Sequence, residues 1–142
     1  MIEGIKRRIE DAIFLWDNGR KESAFLLALV SVAAISKLRY SKMKDGEAFK
    51  KTISDFHTVR IGVEYRGEIH AIEHIFYKWV RCYLIHESEL PTDIEFQDEE
   101  FVRGMSVRAG GKPNYVLQLG AGWFHHFVNS VLTSQEMNNS HQ

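Results

Sequence analysis

The chain has 142 residues and a formal charge of −1, with 44% apolar and 26% charged residues. That balance fits one soluble globular domain with its own core and excludes a disordered chain. Near-neutrality also excludes a uniformly basic nucleic-acid glove, so a polyanion would have to meet a local patch. A single cysteine, Cys82, excludes an internal disulfide and fits a reducing compartment. No apolar leader is visible and the longest apolar run, 24 to 35, is too short for a bilayer. The expectation is a cytoplasmic protein with no membrane contact.

In chain order, Ile2, Ile5, Ile9, Ala12, Ile13 and Trp16 recur at helical spacing, with Lys6, Arg7, Glu10 and Asp17 opposite. Asn18-Gly19 accepts a left-handed cap and stops this first helix. A second helix is expected over about 21 to 40. Its centre, Phe25 to Val30, is apolar all round, so it must be covered on every side by its own domain or a second subunit. The polar, basic stretch 41 to 46 reads as a loop. Residues 47 to 59 read as a third helix with Phe49, Ile53 and Phe56 as its buried stripe.

Tyr65-Arg66-Gly67 breaks the pattern. A fourth helix is expected over 68 to 86, where Ile69, Ile72, Ile75, Phe76, Trp79, Val80, Tyr83 and Leu84 keep spacings of three and four. The period then changes. The stretches 101 to 107 and 115 to 119 resemble short strands around the turn-forming Gly110-Gly111-Lys112-Pro113-Asn114. Trp123, Phe124, Phe127, Val128, Val131 and Leu132 mark a last helix, and 138 to 142 read as a disordered tail. The predicted architecture is mainly α, an antiparallel bundle of four to five helices. It forms a single domain over 1–137, with a β-hairpin inserted at about 93–119, before the last helix.

The run Trp79-Val80-Arg81-Cys82-Tyr83-Leu84-Ile85-His86-Glu87 carries the most chemistry. Arginine is always charged and grips a phosphate through two parallel hydrogen bonds. Histidine is the side chain that gives or takes a proton near neutral pH. Together they are the minimum equipment for cutting RNA without a metal. On a regular helix five residues turn by about 500°, which leaves Arg81 and His86 roughly 140° apart. The pair therefore meets across an irregular helix end, or across a two-fold axis that brings each residue towards its counterpart.

An Arg-x4-His element at the end of a core helix in a small helical bundle resembles the HEPN superfamily, all-α domains of RNA processing, defence and toxin systems. The architectural resemblance covers roughly 2 to 90 and the last helix. It implies a homodimer with a composite cleft and metal-independent transesterification by Arg81 and His86. Cys82 departs from the polar residue that often follows the arginine in active members. Glu22, Cys82 and Glu87 are candidate supporting residues, and Lys37, Arg39, Lys42 and Lys44 form a basic run that would guide RNA. The competing reading is a non-catalytic HEPN-like homodimer that binds a cognate protein partner. In a purely structural reading, the two cations sit on the helix dipole and Arg81 pairs with Glu22 or Glu87.

A second pattern, His70-Ala71-Ile72-Glu73-His74, matches H-x-x-E-H, which on a helix would put two imidazoles on one face. A zinc site there would need a third ligand from His57, His125 or Glu136, none of which has a recognisable context. His125-His126 and His141 read as surface or tail. No metal and no cofactor are expected.

Overall fold

The computed structural model describes residues 1–97, 107–109 and 116–139. Its elements are α1 (Ile2–Asp17), α2 (Lys21–Arg39), α3 (Asp45–Asp55), β1 (Gly62–Tyr65) and β2 (Glu68–Ala71). A long helical rod follows in three stretches: α4 (Ile72–His74), a π-helical segment (Ile75–Arg81) and α5 (Cys82–Glu87). Then come β3 (Ile94–Phe96), β4 (Val107–Ala109), β5 (Leu117–Leu119), α6 (Gly122–Leu132) and α7 (Gln135–Asn139). The fold is mainly α, as the periodicity predicts. No helix among the described residues is long and apolar enough to cross a membrane.

The apolar α2 is the centre of the bundle, flanked by α1, α3 and α6. Its Phe25 stacks on Phe96 of β3 with ring centres 3.9 Å apart and planes 3° from parallel. Phe76 and Phe124 also meet Phe25, and Trp16 of α1 stacks on Phe124 at 4.4 Å. Trp123 and Phe127 of α6 close the other side of Phe76. Burial of these rings supplies most of the drive for the bundle, each aromatic being worth several kilocalories if truncated. Two hydroxyls inside α2 are satisfied locally: Ser31 donates to Leu27 O and Ser36 to Ala33 O.

The break at Tyr65-Arg66-Gly67 is a hairpin. Arg66 and Gly67 both have positive φ, 53° and 82°, and Tyr65 pairs with Glu68 across this two-residue loop. Positive φ at both central residues matches the twist of the flanking strands. Residues 68–71 are therefore a strand, and the fourth helix starts at Ile72 rather than at 68. Ile69, placed in the helical stripe by its spacing, is 80% exposed. Tyr65 Oη and the Arg66 guanidinium both donate to Asp93, tying the hairpin tip to the approach to β3.

Before α6, β4 pairs antiparallel with β5, but it lies at 107–109 where the strand was expected over 101 to 107, and β3 adds a parallel partner to β5 that the spacing does not predict. The predicted turn at 110–114 and the stretch 101–106 lie outside the described residues. The third helix begins two residues earlier than predicted and ends at Asp55 rather than 59. Asn138 and Asn139, assigned to a tail, belong to α7, whose Met137 is buried. That short helix is held by Arg39, which donates from Nε and Nη2 to the two carboxylate oxygens of Glu136 at 2.9 and 2.8 Å.

Candidate functional site

The π-helical segment sets the site. Its backbone bonds reach five residues back, and the Cys82 amide donates to Tyr77 O. Such widened turns are rare and cluster at functional sites. Within it, Tyr77 and Arg81 are four apart and share one flank of the rod, next to α3. The Arg81 guanidinium lies 5.2 Å from the Phe49 ring centre and 5.9 Å from that of Tyr77. Lys50, the neighbour of Phe49, sits over the other side of this platform at 5.7 Å from the Tyr77 ring. Tyr77 approaches α3 closely because Gly46 has no side chain: a Cβ there would stand 2.7 Å from the tyrosine hydroxyl.

A second strip runs beside it. Trp79 carries Lys78 and Arg66 over its ring at 4.7 Å each and meets the rings of Tyr65 and Tyr83. Cations over aromatic faces are held without being neutralised, so their charge stays available to an anion. Arg66 is the exception, since it is paired with Asp93 at 2.8 Å. That pairing raises the Arg66 value and holds the Asp93 carboxyl below the usual range; burial and Asp93 together push the Tyr65 phenol upward.

Arg81 differs. Among the described residues it makes no hydrogen bond or ion pair, and its Nε is buried without a partner. The predicted pairing with Glu22 or Glu87 does not occur; both carboxylates are exposed. The Trp79 Nε1 is likewise buried and without a partner among the described residues. His74 stands where Lys50, His70 and Lys78 converge electrostatically; burial first and these neighbours next lower its imidazole value. The face around Tyr77 thus gathers Arg81, Lys50 and Lys78 on aromatic supports, with no ion pair to any of the three among the described residues, while the Glu73 carboxylate acts on His74 in the opposite sense.

His86 stands apart. It is exposed in the last turn of α5, and Cys82–Glu87 is regular helix, so the rotation of about 140° from Arg81 applies within one chain. Ser88 ends the helix in the left-handed region, φ 63°. Cys82 is half-buried and free. Of the basic run, Lys37, Lys42 and Lys44 are exposed, while Arg39 is committed to Glu136 and Asp55.

The sequence reading missed Phe49, Lys50, Tyr77 and Lys78 as site residues. The signal was the interleaving of Tyr77-Lys78-Trp79 with Arg81, which helical periodicity assigns to core.

The zinc pattern is not on one helical face, because His70 lies on β2 and His74 on α4. Their rings are near-parallel at 5.5 Å and 24°. No group of three metal-ligating side chains occurs among the described residues. His57, beyond the end of α3, instead faces His126 of α6, a residue read as surface; their rings are 5.8 Å apart. Burial lowers the imidazole value of both.

A family model described as Rv1289 matches residues 4–69, a little under half of the chain. That span runs from the third residue of α1 through α2, α3 and β1 into β2, includes Phe49 and Lys50, and stops before Tyr77 and Arg81. No curated protein and no solved structure matches the chain.

Proposed function

We propose that this protein is a HEPN-like RNA-binding protein whose polyanion contact is the cation–aromatic face around Tyr77. Its cleavage site is completed across a two-fold axis between two copies. The observation that carries the reading is Arg81. Its guanidinium is held on Phe49 and Tyr77 beside Lys50, with no acidic partner and a buried, unpartnered Nε among the described residues. An unpaired, partly buried cation is costly unless an anion completes it, and a phosphate matches the guanidinium fork.

In the composite site, Arg81 of one copy neutralises charge on the scissile phosphoryl oxygens. His86 takes the proton from the ribose 2′-OH, whose oxygen attacks phosphorus, and the second His86 gives a proton to the departing 5′-oxygen. The products are a 2′,3′-cyclic phosphate and a 5′-hydroxyl, and no metal takes part. The wide angle between Arg81 and His86 on one helix is what requires the second copy. A place in a defence or toxin–antitoxin type system, with a cognate protein partner, accords with this chemistry.

The test is cleavage of end-labelled single-stranded RNA and tRNA in excess EDTA. Cyclic-phosphate ends from the wild type, lost in His86→Ala and in Arg81→Ala with both variants folded, support the nuclease. RNA retention without cleavage leaves the binding protein and removes the composite active site. Absence of both overturns the reading.

A second reading, a non-catalytic protein-interaction module, is favoured by one observation. A groove of about 320 Å³ between α1 and α2 is lined by Met1, Gly4, Ile5, Val30 and Ala34, with Arg7 and Arg8 beside them.

A further inference from the structure

We propose that the outer face of α2, centred on Val30, is a self-association surface on which a second copy of this chain lays its own α2 antiparallel. The sequence of α2 asks for cover on every side, and the fold supplies it on all but one. Ala24, Phe25, Ala28, Leu29, Val32 and Ile35 are buried, with α1, α3 and α6 packed against the helix. Leu26, Leu27, Val30, Ala33 and Ala34 are only half-buried, and Leu38 beyond them is 44% exposed. At about 100° per residue these six side chains share one face of the helix. From Ser23 to Ser36 the helix holds no charged residue. The apolar surface continues onto α1, because Val30 and Ala34 also line the groove with Met1, Gly4 and Ile5.

A two-fold axis sets a surface against itself, so residues before the axis meet residues after it. With the axis at Val30, Leu26 of one copy meets Ala33 of the second copy, and Leu27 meets Ala34. Large side chains fall on small ones, which lets the two helices approach closely and fill the space between them. At the ends of the contact, Glu22 meets Lys37 of the second copy, and both residues are exposed. Each of these pairs straddles Val30 almost symmetrically.

The opposite signs at the two ends select the occupant. A uniformly acidic or uniformly basic helix would satisfy one end of α2 and be repelled by the other. A second copy run antiparallel satisfies both. The contact uses neither Arg81 nor His86, so it stands apart from the RNA reading.

The test is the molar mass of the full chain by light scattering and sedimentation equilibrium. Glu22→Lys and Lys37→Glu, both surface changes, should each weaken self-association about tenfold, since each turns two attractive pairs into repulsive ones. The double variant Glu22→Lys, Lys37→Glu should restore it. Val30→Glu sets two carboxylates against each other on the axis and should halve the mass of the assembly. Because that change can also unfold the protein, Val30→Cys is oxidised with diamide in a Cys82→Ser background. A residue on the axis meets its own counterpart, so a disulfide-linked dimer is expected, whereas Phe14→Cys, exposed on α1, should give none. A monomeric wild type overturns this surface and the composite cleavage axis together. An assembly that ignores the charge reversals, that the double variant fails to restore, or that Val30→Cys fails to lock overturns the α2 contact alone.

Discussion

Arg81 is held by a ring from another helix: its guanidinium carbon is 5.2 Å from the centre of Phe49, a residue of α3. The contact sets a guanidinium over an aromatic ring, and a lysine ammonium on its flexible stem does not reproduce that fork. Arg81→Lys therefore keeps the charge and loses the seat. RNA affinity should fall about tenfold, and Arg81→Ala should also lower the salt dependence by about 0.7 in log–log slope, one phosphate's worth for a single strand. Filter binding between 50 and 200 mM salt reads both effects; an unchanged slope in Arg81→Ala would remove Arg81 from the phosphate contact.

Gly46→Ala tests how tightly Tyr77 is clamped. The new methyl would stand 2.7 Å from the tyrosine hydroxyl, so the ring must give way. We expect a loss of about 1 kcal/mol, the overpacking outweighing the helix-propensity gain of alanine. In a Tyr77→Ala background the same change should stabilise by up to about 1 kcal/mol, since only the propensity gain remains. A urea double-mutant cycle measures the reversal of sign.

Phe25 and Phe96 predict an asymmetry. Phe25 is fully buried and touches four other aromatic rings, whereas Phe96 is half-buried on the short strand β3. Phe25→Ala should cost about 3–5 kcal/mol and Phe96→Ala distinctly less. The two losses should fall short of additive in the double variant because the rings share one contact.

The acid limb of stability should report two carboxylates. Hydrogen bonds from Arg39 hold Glu136 below the ordinary range, and those from Arg66 and Tyr65 do so for Asp93. A depressed carboxylate contributes stability above its unfolded value, near 4, and loses it as pH falls through its folded value. At pH 7, Glu136→Gln and Asp93→Asn should each be less stable than the wild type by about 1–2 kcal/mol. As pH falls from about 4 through the depressed folded values the difference should close, because the wild-type carboxylates then become neutral too. Chemical denaturation at a series of pH values shows whether it does.

Much of this arrangement could be read from spacing alone, and the failures have physical reasons. The helices α1, α2 and α6 follow from one-sided or continuous apolar patterns that only a 3.6-residue period fits. Residues 68–71 escaped because Ile69 and Ile72 mimic that period; the positive φ at Arg66 and Gly67 that makes a hairpin is invisible without a turn-forming asparagine. The widening of the helix at Ile75–Arg81 leaves no mark on an apolar pattern. Arg81 itself was legible from its chemistry. Its platform was not, since Phe49 and Lys50 lie on another helix and only tertiary packing brings them together.

The tie from Tyr65 and Arg66 to Asp93, and the rings that meet Phe25, bear on the span 4–69 matched by the family model. Three of the four rings around Phe25 lie beyond residue 69, as do Asp93 and two of the four β2 residues that pair with β1. The span is half an interior. A relative that shares it alone must bring a different lid for the same open face, and similarity over those residues transmits a docking floor rather than a finished protein.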